Sequence, residues 1–521
     1  MSQMRILTND DGWILSSYGP PISIEDLRDK MVAPHADSPI DTFLWSVGGR
    51  EVYSYETQIG ERFGQDVDSF ENPADEIRAR NLRHLCSHHG GPVTAIAQLC
   101  HEIGMKFFPS LRMNTHYNTD ESSTSFGRFR RDHPEWLIGR PGENPAIGSP
   151  LWGLRTGKDY AFPQVRDFMN SIACELLECF DCDGIELDFM RHPGTFRPEQ
   201  AFANRYLLTD MVRQLRQQMD EIGKEKGRNL ELAVRVAPTL AASERLGMEA
   251  ETWIKEGLVD LVITGLGFNP FEARVAEFVR AATGTSCRIL GCFEALRPLL
   301  DTEVMRAIAA RYWDAGAAGL YFFNFFCMSA AWKREIVGQL ADPAALSRLD
   351  KMYEIDKARP SAPDSQIGHA FRYCLPLEQL PLRLEQTRAE RGAVLHFNIA
   401  DDLERARAEG ILSKCILGLG FQELNQDDEL ALQLNGQPLA WAQRRLPSQP
   451  WSREAYGPNW GLYPSTKVLA QLDNIPVEFD VDAPPLRRGD NQLEIRLLDR
   501  RTAAPSALLI RDVQIAIRYK H

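Results

Sequence analysis

Short apolar runs recur along the first 330 residues, with helical patterns between them. The runs are MRILT (4–8), DTFLWSV (41–47), KFFPSLR (106–112), DGIELDFM (183–190), ELAVRVA (231–237), DLVITGL (260–266), RILGCFE (288–294) and GLYFFNF (319–325). Amphipathic helices separate most of them, for example Pro92 to Gly104, Pro163 to Phe180, Pro198 to Gly223 and Glu303 to Ala315. Strands alternating with helices predict an α/β domain with a parallel sheet and right-handed crossovers. Eight such strands are the number that closes a (β/α)8 barrel. An open doubly wound sheet is the alternative. It would usually bring a glycine-rich phosphate loop after an early strand, and GLGFNP (265–270) lacks that spacing.

Beyond the barrel pattern, residues 341–365 read as a helical segment followed by a Pro-, Ser- and Asp-rich linker. From 366 to 521 the period shortens to alternating strands: AVLHFNI (393–399), ELALQLNGQPL (429–439), VEFDV (477–481), NQLEIRLL (491–498) and LLIRDVQIAIRY (508–519). Turn signals such as Asn435-Gly436 and Gly489-Asp490 lie between strand patterns. The expected division is a barrel over 1–340, a linker over 341–365 and an all-β sandwich over 366–521.

Composition sharpens this picture in a few places. With 521 residues, 44% apolar and 25% charged, the chain has the make-up of a soluble protein of two or three domains. A net charge of -13 argues against nucleic acid or a membrane surface as a general partner. MSQMRILTNDDG lacks the apolar core of a signal peptide, so the chain reads as cytoplasmic, with a trimmed secretion signal left open. Its ten cysteines are scattered and read as reduced thiols. Cys179 and Cys182 form a CxxC without a second pair at zinc spacing, and His88-His89 reads as a helix terminus. Neither a metal nor a cofactor is expected.

In such a barrel the chemistry gathers at the C-terminal ends of the strands. Polar residues cluster there: Asn9, Asp10 and Asp11 at the end of strand one, Arg112 and Asn114 at the end of strand three with His116 and Tyr117 following, Arg235 on strand five, Glu294 at the end of strand seven and Asn324 on strand eight. The densest stretch is CDGIELDFMRHP (182–193). Alternation puts Glu186 and Asp188 on one face, with Ile185, Leu187 and Phe189 on the other. Two buried acids side by side are costly unless cations or hydrogen bonds compensate them.

The segment DGIELDFMRHP (183–193) resembles the fourth-strand motif of glycoside-hydrolase-like barrel families related to family 10 glycosyl hydrolases, which carry a DGIxLDYIRYP-type strand. Phe189, Met190 and His192 replace the usual Tyr, Ile and Tyr, while Asp188, Arg191 and Pro193 are kept. The resemblance implies a glycosidase acting on an oligo- or polysaccharide, with Asp188 as a catalytic carboxylate. Glycoside cleavage needs two carboxyl groups flanking the bond, one protonated and one ionised. By analogy with retaining barrel glycosidases, Glu294 on strand seven is the expected partner of Asp188. Glu186, one step deeper, is the rival catalytic residue, or else a buried support paired with Arg235.

The long stretch 114–162 carries Tyr117, Trp136, Trp152 and Tyr160, whose rings would suit sugar faces or pin the loop to the barrel. RFRRDHPEW (128–136), with Arg112, His116, Arg191 and His192, points to an anionic saccharide or to ordinary solvated arginines. The expected substrate-binding set is Asp10, Arg112, Asn114, His116, Tyr117, Trp152, Arg191, His192, Arg235 and Asn324. Two other readings stay open. One is a lyase, isomerase or metal-dependent hydrolase using Glu186, Asp188, His116 and His192. The other is a non-catalytic carbohydrate-binding protein, to which Trp451, Trp460 and Tyr463 of the sandwich would contribute. The sandwich could also reach another subunit, so a homo-oligomer stays open too.

Overall fold

The computed structural model describes residues 4–48, 51–115, 123–265, 273–294, 301–325, 329–357, 379–386, 392–447, 449–456, 467–500 and 507–520. Eight parallel strands close a barrel: Arg5–Asp10, Thr42–Gly48, Lys106–Arg112, Gly184–Asp188, Glu231–Val236, Leu261–Thr264, Arg288–Glu294 and Gly319–Phe323. They are called strands one to eight below. Each pairs with the next, and strand one closes the ring by pairing with both strand two (Leu7↔Thr42) and strand eight (Arg5↔Gly319). The eight runs of the sequence are these eight strands.

The strands read as nearly unbroken apolar runs because both faces are buried. One face packs under the helices through Ile6, Phe43, Phe107, Ile185, Leu187, Val234, Ile289 and Phe322. The other fills the barrel with Leu7, Leu44, Phe108, Ala233, Ile263, Leu290, Tyr321 and Phe323. Gly184 opens strand four where space is shortest: a Cβ there would lie 2.2 Å from the Glu231 carbonyl oxygen. The floor is plugged by an ion network around Glu231, which binds Arg5 at 2.9 Å, Lys106 at 2.7 Å and also Arg288. Following the two-residue period upward from this floor, the inward face is apolar in the middle and turns polar again at the C-terminal ends: Asn9 above Leu7, Ser110 and Arg112 above Phe108, and Arg235 above Ala233.

The C-terminal part is built on two larger β-sheets, with a two-stranded one formed by Ser452–Tyr456 and Lys467–Gln471 beside them in the chain. One sheet orders Lys351–Glu354, Leu508–Tyr519, Leu412–Gln422 and Ile475–Val481, with Leu382–Leu384 also on Leu508–Tyr519. The other orders Ala393–Ile399, Gly489–Asp499, Glu429–Leu434 and Gln437–Leu439. Lys351–Glu354 lies inside the stretch expected as linker, yet pairs antiparallel with Leu508–Tyr519. Buried Asp401 explains the anchoring, since it accepts from Lys351 at 2.8 Å and from the hydroxyls of Tyr353 and Tyr519. The barrel helix Thr302–Asp314 docks against this domain. Ala307 enters the sandwich core, and the Arg311 guanidinium donates to the Asn398 carbonyl at 2.9 Å.

Candidate active site

Strand four places Glu186 and Asp188 inside the barrel, and its neighbours decide their environments. The register sets Asp188 opposite Arg235 of strand five, and Glu186 opposite Ala233. Arg235 therefore binds Asp188, with Nε donating to Oδ1 at 2.8 Å and a terminal nitrogen to Oδ2 at 3.2 Å. The backbone amides of Met190 and Arg191 donate to the same Oδ1 at 3.0 and 2.9 Å. This corrects the expected Glu186–Arg235 pair: one register step gives the guanidinium to the outer acid. The Arg235 guanidinium also lies 3.7 Å from the centre of the Phe323 ring, which seats the pair in the barrel.

Glu186 is left with weaker company. It is fully buried and accepts from the Ser110 hydroxyl on strand three. Its Oε1 has no hydrogen-bond partner among the described residues. Burial first, and the nearby Asp188 charge second, push its carboxyl up to about 7, against the opposing pull of Arg235, Ser110 and Tyr321. The two carboxyls on this strand thus have different surroundings: Asp188 is clamped by a cation and two amides, while Glu186 is buried and pushed up to about 7. Asn9 on strand one adds a buried amide with neither side-chain atom hydrogen-bonded among the described residues, and Arg235 keeps one guanidinium nitrogen in the same condition. Buried polar atoms are nearly always paired, so such a group at a barrel mouth marks a place where a polar ligand fits.

The other expected residues fall into distinct positions. Arg112 sits at the mouth and pairs with Asp11. Arg191 and His192 are buried at the end of strand four, and Asn324 is buried after strand eight with a left-handed φ of 58°. Asp10 is held behind the mouth. Its carboxylate accepts from the Gly12 amide at 2.8 Å, and burial raises its carboxyl to about 6 against Gly12 and the Lys333 charge. Asn114 is spent on the protein: its amide nitrogen donates to the Lys158 and Gly194 carbonyls, and its oxygen accepts from the amides of Thr115 and Lys158. His116 and Tyr117 lie outside the described residues. Glu294 ends strand seven with its backbone paired to Phe323, while its side chain lies outside the description.

From residue 123 onward, the long loop after strand three is pinned to the barrel. Arg130 and Lys158 both bind buried Glu51, at 2.9 and 2.6 Å. Arg128 pairs with Asp66 at 2.5 Å, and Trp136 packs on Phe129 and stacks on His133. Trp152 stands in a short helix, with the Arg155 guanidinium over its ring at 4.7 Å. In the sandwich, buried Trp451 donates to Glu478 at 3.1 Å and covers Gly418, while Trp460 and Tyr463 lie outside the described residues. Sequence reading missed Ser110 and Tyr321. The signal available was alternation, since 110 shares a face with Arg112, and 321 with Phe323. Among the described residues no group of three His, Cys, Asp or Glu side chains is arranged to hold a metal ion.

No protein-family model matches the chain, and no curated protein matches it. Among solved structures, the endo-beta-1,4-mannanase from Thermotoga petrophila aligns over 99% of this chain and 98% of its own, at 10% identity and a TM-score of 0.43. The PgaB glycoside hydrolase domain from Bordetella bronchiseptica covers 66% of this chain and 98% of its own, at 12% identity and 0.38. A GH18 chitinase from Pseudoalteromonas aurantia covers 64% and 99%, at 10% and 0.34. At these values the likeness decides neither family nor activity.

Proposed function

We propose that the protein is a glycoside hydrolase that cleaves an O-glycosidic bond at the C-terminal mouth of the barrel. The observation that carries this reading is the split acid pair on strand four: Asp188 bound to Arg235, and Glu186 buried and pushed up to about 7. Glycosidases need one carboxyl that carries a proton at working pH and a second that is ionised; Glu186 suits the first role, and Glu294 is assigned the second in this reading. The motif resemblance at 183–193 points to the same chemistry. The proton-carrying role passes in this reading from Asp188, whose Oδ1 is filled by three donors, to Glu186.

In the first step Glu186 gives its proton to the glycosidic oxygen as the bond to the anomeric carbon breaks. Glu294 on strand seven supplies the carboxylate that attacks that carbon, so the product retains its configuration. Glu186, now ionised, then takes a proton from the water that releases the sugar. Asp188 and Arg235 hold the charge balance around Glu186. Of the arginines read as binding an acidic saccharide, Arg112, Arg128 and Arg130 are engaged by protein carboxylates, and Arg191 is buried at the end of strand four.

The test is a panel of oligo- and polysaccharides, neutral and acidic, comparing wild type with Glu186→Gln, Asp188→Asn and Glu294→Gln. Loss of a general acid should lower the rate by roughly 10²–10⁴. Cleavage undiminished in all three variants overturns the reading. Complete inversion in the product moves Glu294 from nucleophile to base.

A further inference from the structure

Among the described residues, just two Phe, Tyr or Trp side chains are exposed, and they lie one helical turn apart. Phe202 is 55% exposed and Tyr206 is 54% exposed, at the start of the helix Ala201–Lys226. Residues four apart on a helix share a face, with about 5–6 Å between Cβ atoms. That is the scale of one pyranose ring. This helix follows strand four, so its first turn stands on the same rim as the carboxylates. Just before it, Arg197 binds Glu143 at 2.9 Å and the Ile138 carbonyl at 2.9 Å, which sets the long loop beside this turn. The Arg205 guanidinium lies 4.0 Å over the Phe202 ring and is itself held by Glu249 at 3.1 Å, so one aromatic face is braced and the ring is not free to fold away.

We propose that Phe202 and Tyr206 form a stacking platform for a polysaccharide chain on the barrel rim, outside the catalytic mouth. A single exposed hydrophobe needs no explanation, but a braced aromatic pair on one helix face does. A second protein copy is a poor fit. Two rings of about 150–250 Å² each, half exposed, offer about 200 Å², against about 800 Å² per partner in a stable interface. Flat aromatic faces match the C–H face of a sugar ring. The choice of a saccharide rests on the hydrolase reading above.

The experiment is co-sedimentation of the full chain with insoluble cellulose, chitin and β-mannan, using wild type, Phe202→Ala, Tyr206→Ala, the double variant and Phe202→Trp. Binding alone is read, so absence of cleavage by wild type would fail the hydrolase reading without touching this one. The platform predicts binding of at least one of the three polymers. Each alanine variant should weaken it by roughly tenfold or less, the scale of one aromatic contact, and the double variant by more. Phe202→Trp should keep or improve it. Both sites are exposed helix positions where alanine is favoured, so melting temperatures should stay within a few degrees. Failure of wild type to bind any of the three polymers overturns the proposal. So does a double variant that binds like wild type, or one whose change is a shift in oligomeric state.

Discussion

Glu186→Gln is the sharpest perturbation of the account, because it removes a titrating group while keeping the shape of a fully buried side chain. Glu186 is raised from 4.5 to about 7, first by burial and then by Asp188. That gap is worth about 3 kcal/mol between the protonated and ionised folded forms. The unfolded chain releases this proton near its ordinary value, whereas the folded chain keeps it until about 7. Across that window the folded state binds more protons, so wild-type stability falls as pH rises and levels off above it. The variant has nothing to titrate there. Its stability relative to wild type should therefore rise by up to about 3 kcal/mol between about pH 4.5 and about pH 7.5, and stay flat beyond. Urea denaturation of both proteins at several pH values across this range measures the difference. A difference that does not change with pH refutes the assignment of Glu186 as the raised carboxyl. A rise confined to pH values below about 5 would place the titration on an ordinary carboxylate instead.

Arg235→Met leaves Asp188 buried without its cation, and unfolding should become easier by about 3–5 kcal/mol near neutral pH. Urea melts that match wild type would show that the pair is dispensable. Glu51→Gln strips the shared partner from buried Arg130 and Lys158, so limited proteolysis should open the loop after strand three well before the barrel. Unchanged cleavage sites and rates count against the pinning role. Gly184→Ala drives a Cβ to 2.2 Å from the Glu231 carbonyl oxygen and 2.7 Å from the Phe108 ring. It should lower stability by about 1–3 kcal/mol or more, and a neutral result would mean that strands four and five separate easily.

The barrel was legible because its strands are buried on both faces. KFFPSLR and RILGCFE match strands three and seven residue for residue, and the other six differ by one or two residues at their ends. The helices were legible from their caps and period, as with Pro163–Cys179 and Thr302–Asp314. In the sandwich, 393–399 and 508–519 were readable from alternation. Leu412–Gln422 was not, because its two glycines and lysine break the apolar run, although it forms the centre of one sheet. The strand at Lys351–Glu354 was hidden in a charged stretch whose lysine is buried only because Asp401 meets it from fifty positions away.

At the site, the two acids and the arginine were all visible, but their pairing was not. That depends on register between strands four and five, which sets Asp188 rather than Glu186 across from Arg235. The same limit applies to Asp10, which burial in the assembled fold raises, against the Gly12 amide and the charge of Lys333 on a helix more than three hundred residues later. Asn114 looked available in the sequence and is consumed by its own loop.

The most direct test of the central claim is the pH dependence of kcat/KM on whichever glycan the wild type cleaves. A proton donor raised to about 7 predicts activity that falls as pH increases through about 7. In Glu186→Gln that limb should vanish, and the residual rate should recover on an aryl glycoside whose leaving group needs no proton. A limb that persists unmoved in Glu186→Gln, with equal losses on both substrates, would contradict the account.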